Sequence, residues 1–119
     1  MADQQSSDID WQPRLSERAI LGGTVYDIAK AKELIKATPR PVERKPLSSF
    51  KPMYYLLDIK IDWEKARQSD ENIPIIAGTR EGQPLIIDGW HRYAKLLRAN
   101  QPDIAVVALT DDELKQVAR

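Results

Sequence analysis

The stretch over residues 84–97, PLIIDGWHRYAKLL, constrains the fold more than any other part of the chain. An apolar run, Leu85-Ile86-Ile87, stops at Asp88-Gly89, and a helix-forming segment follows at once. A strand that breaks at a glycine into a helix leaves several backbone N–H groups without partners at one point. The helix dipole makes that point partly positive, and it suits an anion such as phosphate. The only histidine, His91, and Arg92 fall in the first turn, so the candidate site is placed here. Along the helix, Trp90, Ala94 and Leu97 share a face with core spacing. His91, Lys95 and Arg98 share a second face, which is basic and solvent-facing.

Composition narrows the chemistry. At 119 residues the chain fits one domain of ordinary size. Lys plus Arg and Asp plus Glu number 18 each, so the formal net charge is zero, which argues against binding DNA by bulk positive charge. No cysteine is present, which excludes disulfides, thiolate metal sites and thiol catalysis. One histidine makes a zinc enzyme a poor fit. No long apolar segment or secretion leader is visible, so neither a membrane nor export is expected and the default compartment is the cytoplasm.

Residues 1–20 are read as a flexible polar tail and residues 21–119 as a single domain. Trp11 stands out in the tail and is expected to pack on the domain or in an oligomer contact. After Gly22-Gly23, Thr24 reads as the cap of a helix with Asp27 in its first turn. Val25, Ile28, Ala31 and Ile35 form its stripe, and Pro39 ends it. Residues 40–47 hold two prolines, Pro41 and Pro46, and suit an edge strand anchored by Val42 and Leu47. Residues 48–52 read as a turn, and residues 55–63 alternate like a strand. A short helix over residues 63–68 follows. Residues 73–77 form a buried strand, residues 78–83 a hairpin loop, and residues 85–88 the return strand. The helix from Gly89 closes near Ala99, residues 104–109 form another strand, and Thr110 with Glu113 makes a capping box for a last helix to about Ala118. This order predicts an α+β domain, a small mixed sheet with flanking helices.

Residues 73–107 resemble the ParB/sulfiredoxin-like superfamily. There a hairpin runs into a helix through a G-x-x-R signature, here Gly89-Trp90-His91-Arg92. Sulfiredoxins carry Gly-Cys-His-Arg at the matching place and ParB amino-terminal domains Gly-Glu-Arg-Arg. The free-serine kinases carry Asp-Gly-His-His-Arg, which Asp88-Gly89-Trp90-His91-Arg92 resembles most closely. If residues 42–47 match the family's first strand, the alternation over residues 55–63 is partly a false strand signal. Trp90 stands where sulfiredoxins have their cysteine and ParB its glutamate, so neither chemistry is carried over. The length leaves no room for a helix-turn-helix domain, so a stand-alone member is expected. The resemblance implies a bacterial, phage or mobile-element source, a phosphate cradle at Gly89 and the following backbone, and phosphate contacts from His91 and Arg92.

Each residue also has a plainer reading. Arg92 has a planar fork suited to phosphate, against a salt bridge to Asp88, and the phosphate role is favoured. His91 is balanced between phosphate contact and a solvated first-turn residue. Asp88, the weak candidate for catalysis, is more readily a cap or a partner that orients Arg92. Trp90 is core by its period, although an indole beside a nucleotide site can stack a base. Arg80, Glu81 and Lys95 could border a pocket, with solvation the plainer role. A kinase-like site needs a base and a magnesium ligand. Asp58, Asp62 and Glu64 could supply them, and surface charge is preferred for all three.

The reading is a module that binds nucleotide or nucleic-acid phosphate through Gly89, Trp90, His91, Arg92 and Lys95. A nucleotide such as ATP, with Mg²⁺, is favoured over DNA, and a homodimer is left open. The alternatives are a small ATP-dependent phosphotransferase or nuclease on the same site, and a non-catalytic protein-interaction domain.

Overall fold

The apolar runs near Ile75, Leu85 and Ile104 form three adjacent strands of a four-stranded sheet in the computed structural model, which describes residues 4–11, 17–70 and 72–119. The elements are β1 (Arg18–Leu21), β2 (Thr24–Asp27), α1 (Ile28–Ala37), β3 (Glu43–Pro46), α2 (Lys51–Leu56), α3 (Trp63–Gln68), β4 (Ile75–Arg80), β5 (Gln83–Asp88), α4 (Trp90–Arg98), β6 (Asp103–Ala108) and α5 (Asp111–Val117). Strands β1 and β2 form a separate antiparallel hairpin; the main sheet has the order β3-β6-β4-β5. Within it β4 pairs antiparallel with β5 and parallel with β6, and β3 pairs antiparallel with β6. Ile75, Ile76, Leu85, Ile86 and Ile87 are all buried, so both faces of β4 and β5 are covered. The chain is thus the α+β domain that the element order predicts, with a small mixed sheet and flanking helices.

β3 is the edge strand expected from its prolines, and Leu47 just beyond it is buried while Val42 is half-buried. α3 and α5 occupy the predicted segments. Asp62 caps α3 by accepting from the Glu64 amide at 3.0 Å, and the Thr110 and Glu113 capping box opens α5. α4 runs where expected, but its core face is wider than the expected stripe. Tyr93 is fully buried beside Trp90 and Ala94, and Leu97 is only half-buried.

Five expectations are corrected. The helix capped by Thr24 is instead β2 followed by α1, with Asp27 as the cap, accepting from the Lys30 amide at 3.0 Å. Gly22 and Gly23 both have positive φ (54° and 80°), which closes a tight two-residue hairpin between flanking β-formers. The segment over residues 55–63 is not a strand, and residues 48–52 are not a simple turn. A 3-10 turn at Leu47–Phe50 leads into α2, and across it and its two caps the buried Phe50 and Met53 and half-buried Tyr54 and Leu57 recur at helical spacing. Pro52 is tolerated because it falls in the first turn of α2.

The hairpin loop after β4 is shorter than residues 78–83, because β4 continues to Arg80 and the turn is Glu81-Gly82. Gly78 serves packing and not turning. A Cβ there would lie 3.0 Å from Leu114 of α5. Finally, the reading of residues 1–20 as a loose tail does not hold for the described part. Ser6 is buried and its hydroxyl accepts from the Arg40 amide at 2.7 Å, and Trp11 is core, donating from Nε1 to the Ser6 carbonyl at 2.9 Å. Residues 18–20 belong to β1, and residues 1–3 and 12–16 lie outside the described residues.

Tyr93 joins the layers. Its hydroxyl donates to the Leu47 carbonyl at 3.0 Å, and its ring meets Trp90 edge-on at 5.5 Å and Phe50 at 6.0 Å. Burial pushes its hydroxyl pKa up to about 12 from an ordinary 10.0. A raised folded pKa gives stability that is complete below 10.0 and lost as pH climbs toward 12. Tyr93→Phe should cost about 1–2 kcal/mol at neutral pH through the orphaned Leu47 carbonyl. It should also flatten the alkaline loss in urea titrations between pH 10 and 12 relative to the parent. Unchanged alkaline behaviour in the variant would mean that Tyr93 does not carry it.

Candidate functional site

β5 becomes α4 within one residue. Gly89, the N-cap, has φ 113° and ψ 19°, and no side chain caps the helix start. A Cβ on Gly89 would overlap Cγ2 of Ile75 and sit 3.0 Å from Nη2 of Arg92. Glycine is therefore required twice here, by the backbone conformation and by the approach of β4. The Gly89 carbonyl accepts from the Tyr93 amide at 3.0 Å, which is the first α-helical bond of α4.

A cavity of about 480 Å³ lies against this turn. Residues 87–91 form one side, residues 17–22 of the β1 segment a second, and residues 57–60 a third. Two cationic side chains, Arg18 and Lys60, line it together with the carboxylates Glu17, Asp58 and Asp88. Lys60 and Asp58 pair at 3.0 Å with both side chains more than 80% exposed (84% and 81%), so the pair is weak and exchangeable. Asp58 itself has a positive φ of 50°.

The predicted residues separate into two groups. Gly89, Trp90, His91 and Asp88 line the cavity. Trp90 is also core, as its spacing indicates, packed on Tyr54 and Tyr93. His91 Nε2 accepts from the Asp62 amide at 3.2 Å, which joins the start of α4 to the cap of α3.

Arg92 and Lys95 turn elsewhere. Arg92 Nη1 donates to the carbonyls of Ile73 at 2.7 Å and Pro74 at 3.1 Å, and Nη2 to Asp88 at 3.5 Å. Burial lowers its pKa, opposed by the negative charge of Asp88, Asp70 and Glu17. This is the salt-bridge reading extended by two carbonyls, and Arg92 lines a neighbouring cavity of about 400 Å³ instead. Lys95 Nζ donates to the carbonyls of Arg67 and Ser69, both at 3.2 Å, at the end of α3. Asp88 orients Arg92 and does not cap α4.

The three carboxylates considered for a base or a magnesium ligand do not converge. Asp62 caps α3, Glu64 pairs with Arg67, and Asp58 pairs with Lys60. Among the described residues no three His, Asp or Glu side chains come together as metal ligands. Sequence reasoning missed Arg18, Lys60 and the walls they stand on, because only the tertiary fold brings residues 17–22 and 57–60 to Gly89.

Neither a family model nor a curated protein matches the chain. Among solved structures, sulfiredoxin from Arabidopsis thaliana aligns with 63% of this chain and 93% of its own at 17% identity, with a TM-score of 0.38. A superposition this loose assigns neither family nor activity.

Gly89→Ala should destabilise the fold by about 2–4 kcal/mol, from backbone strain together with the collision at Ile75. Arg92→Ala should cost a similar ~2–4 kcal/mol, because it strips donors from two carbonyls and leaves Asp88 unpaired. Arg92→Lys should recover part of that loss. Urea denaturation measures all three, and an Arg92→Ala variant as stable as the parent would show that the clamp holds nothing.

Proposed function

We propose that this chain is a ParB/sulfiredoxin-like domain that binds a nucleotide and holds its phosphate at the start of α4. The observation that carries the reading is the cavity of about 480 Å³ at an uncapped helix N-terminus, lined by Gly89, Trp90 and His91. Amides and dipole at such an end favour phosphate. Arg18 and Lys60 add positive charge at the walls, the carboxylates Glu17, Asp58 and Asp88 there are paired with Lys32, Lys60 and Arg92, and the apolar Ile20, Leu57 and Ile59 stand beside them. That mixture of polarity suits a nucleotide better than a bare phosphate or a DNA backbone, and the zero formal net charge agrees.

In this reading the phosphate contacts are the backbone of residues 89–91, His91, Arg18 and Lys60, while Arg92 shapes the turn from behind. Any Mg²⁺ would arrive with the phosphates, since the described residues offer no dedicated metal cage. Binding is favoured over phosphotransfer, because Asp88 is engaged by Arg92 and the other candidate carboxylates serve caps and surface pairs.

Isothermal titration with ATP, ADP and CTP, each with and without Mg²⁺, tests this. At least one nucleotide should bind saturably. Lys60→Ala and Arg18→Ala should each weaken it by about 1 kcal/mol or more, as expected for loss of a charge-assisted contact. No binding with any nucleotide overturns the reading. Salt-dependent binding of a DNA duplex in its place would move the ligand to nucleic-acid phosphate.

A further inference from the structure

We propose that Arg80 is the positioning residue that holds the far wall of the cavity in place, and that the affinity of the site depends on it. The ligand half of this proposal rests on the nucleotide reading above; the wall half does not.

Arg80 ends β4 and is half-buried, which the plainer reading of a solvated hairpin tip does not explain. Its guanidinium reaches across to the β1–β2 turn. Nη1 donates to the Leu21 carbonyl at 3.0 Å and Nη2 to the Gly22 carbonyl at 3.4 Å. Both acceptors belong to residues that line the cavity. Gly22 is also closely approached at its Cα: a Cβ there would lie 2.9 Å from Cδ2 of Leu57 and 3.1 Å from Nη1 of Arg80. Leu57 begins the third wall. Arg80, Gly22 and Leu57 therefore form one junction where two of the three walls meet.

The β1–β2 hairpin needs such a fixture. It is a separate two-stranded sheet and shares no ladder with the main sheet. An isolated two-stranded hairpin is marginal in water. β2 is tied to the end of the chain, where the Arg119 amide donates to the Val25 carbonyl at 2.8 Å and Tyr26 bridges to Ala118, and Arg80 is the fixture at the turn. β4 thus supports the cavity at both ends. Ile75 lies beneath Gly89 at one end, and Arg80 holds Gly22 at the other. An arginine suits the second task because its fork can reach two successive carbonyls, which a lysine ammonium cannot do in a fixed geometry.

The experiment compares the full chain with Arg80→Ala and Arg80→Lys by hydrogen exchange and by nucleotide titration. In Arg80→Ala, amides over residues 18–27 should exchange at least tenfold faster, while those of β4, β5 and β6 keep the parent rates. ATP or CTP affinity should fall at least fivefold. Arg80→Lys should fall between the two in both measurements, and it serves as the test variant if Arg80→Ala does not fold. Parent-like exchange over residues 18–27 overturns the proposal whatever the ligand does. Faster exchange with unchanged affinity separates Arg80 from the site and overturns the ligand half. If the parent itself binds no nucleotide, the nucleotide reading fails, and the exchange rates alone decide whether Arg80 holds the wall.

Discussion

Gly89 has to turn the chain from strand to helix in one residue while Ile75 stands against its Cα. Much else follows from that constraint. The turn sets the direction of α4, which sends Tyr93 into the core to reach the Leu47 carbonyl and brings Trp90 onto Tyr54. It also returns Arg92 to the start of β4, where its guanidinium holds the carbonyls of Ile73 and Pro74. A side chain at position 89 would disturb the sheet, the helix and the clamp together.

The same turn divides its residues between support and exposure. Arg92 and Lys95 point to protein carbonyls, which would otherwise be left short of donors near the ends of β4 and α3. The backbone at residues 89–91 and the His91 ring remain beside the cavity. The cations available there, Arg18 and Lys60, come from distant segments, and the pair between Lys60 and Asp58 is so exposed that little holds it against a competing anion. The helix start is therefore built by buried arginine contacts and served by surface charge.

Much of the scaffold was legible in residue order. The edge strand with its prolines, the α3 segment, the capping box of α5 and the turn at Gly89 all follow from local rules, and each stands where it was expected. The failures have local causes too. Gly22-Gly23 is a hairpin signal that the helical stripe behind it obscured, since Val25 fits that stripe although it belongs to β2. Residues 55–63 alternate in polarity, yet Pro52 and the spacing of Phe50, Met53 and Leu57 fit a helix that ends at Leu56. Gly78 looked like a turn residue, and only the presence of Leu114 explains it.

The sequence by itself determined the strand-to-helix turn, the lack of thiol chemistry and the α+β class. These depend on residue type and near-neighbour spacing, which a linear reading contains. Only the tertiary structure decided what Arg92 and Arg80 do, and which segments face Gly89. An arginine side chain can reach a phosphate, a carboxylate or a carbonyl with similar ease. Which of them it meets depends on contacts between residues 18 to 59 positions apart in the chain, as in the Arg92–Pro74 and Arg80–Leu21 bonds, and no local pattern encodes those.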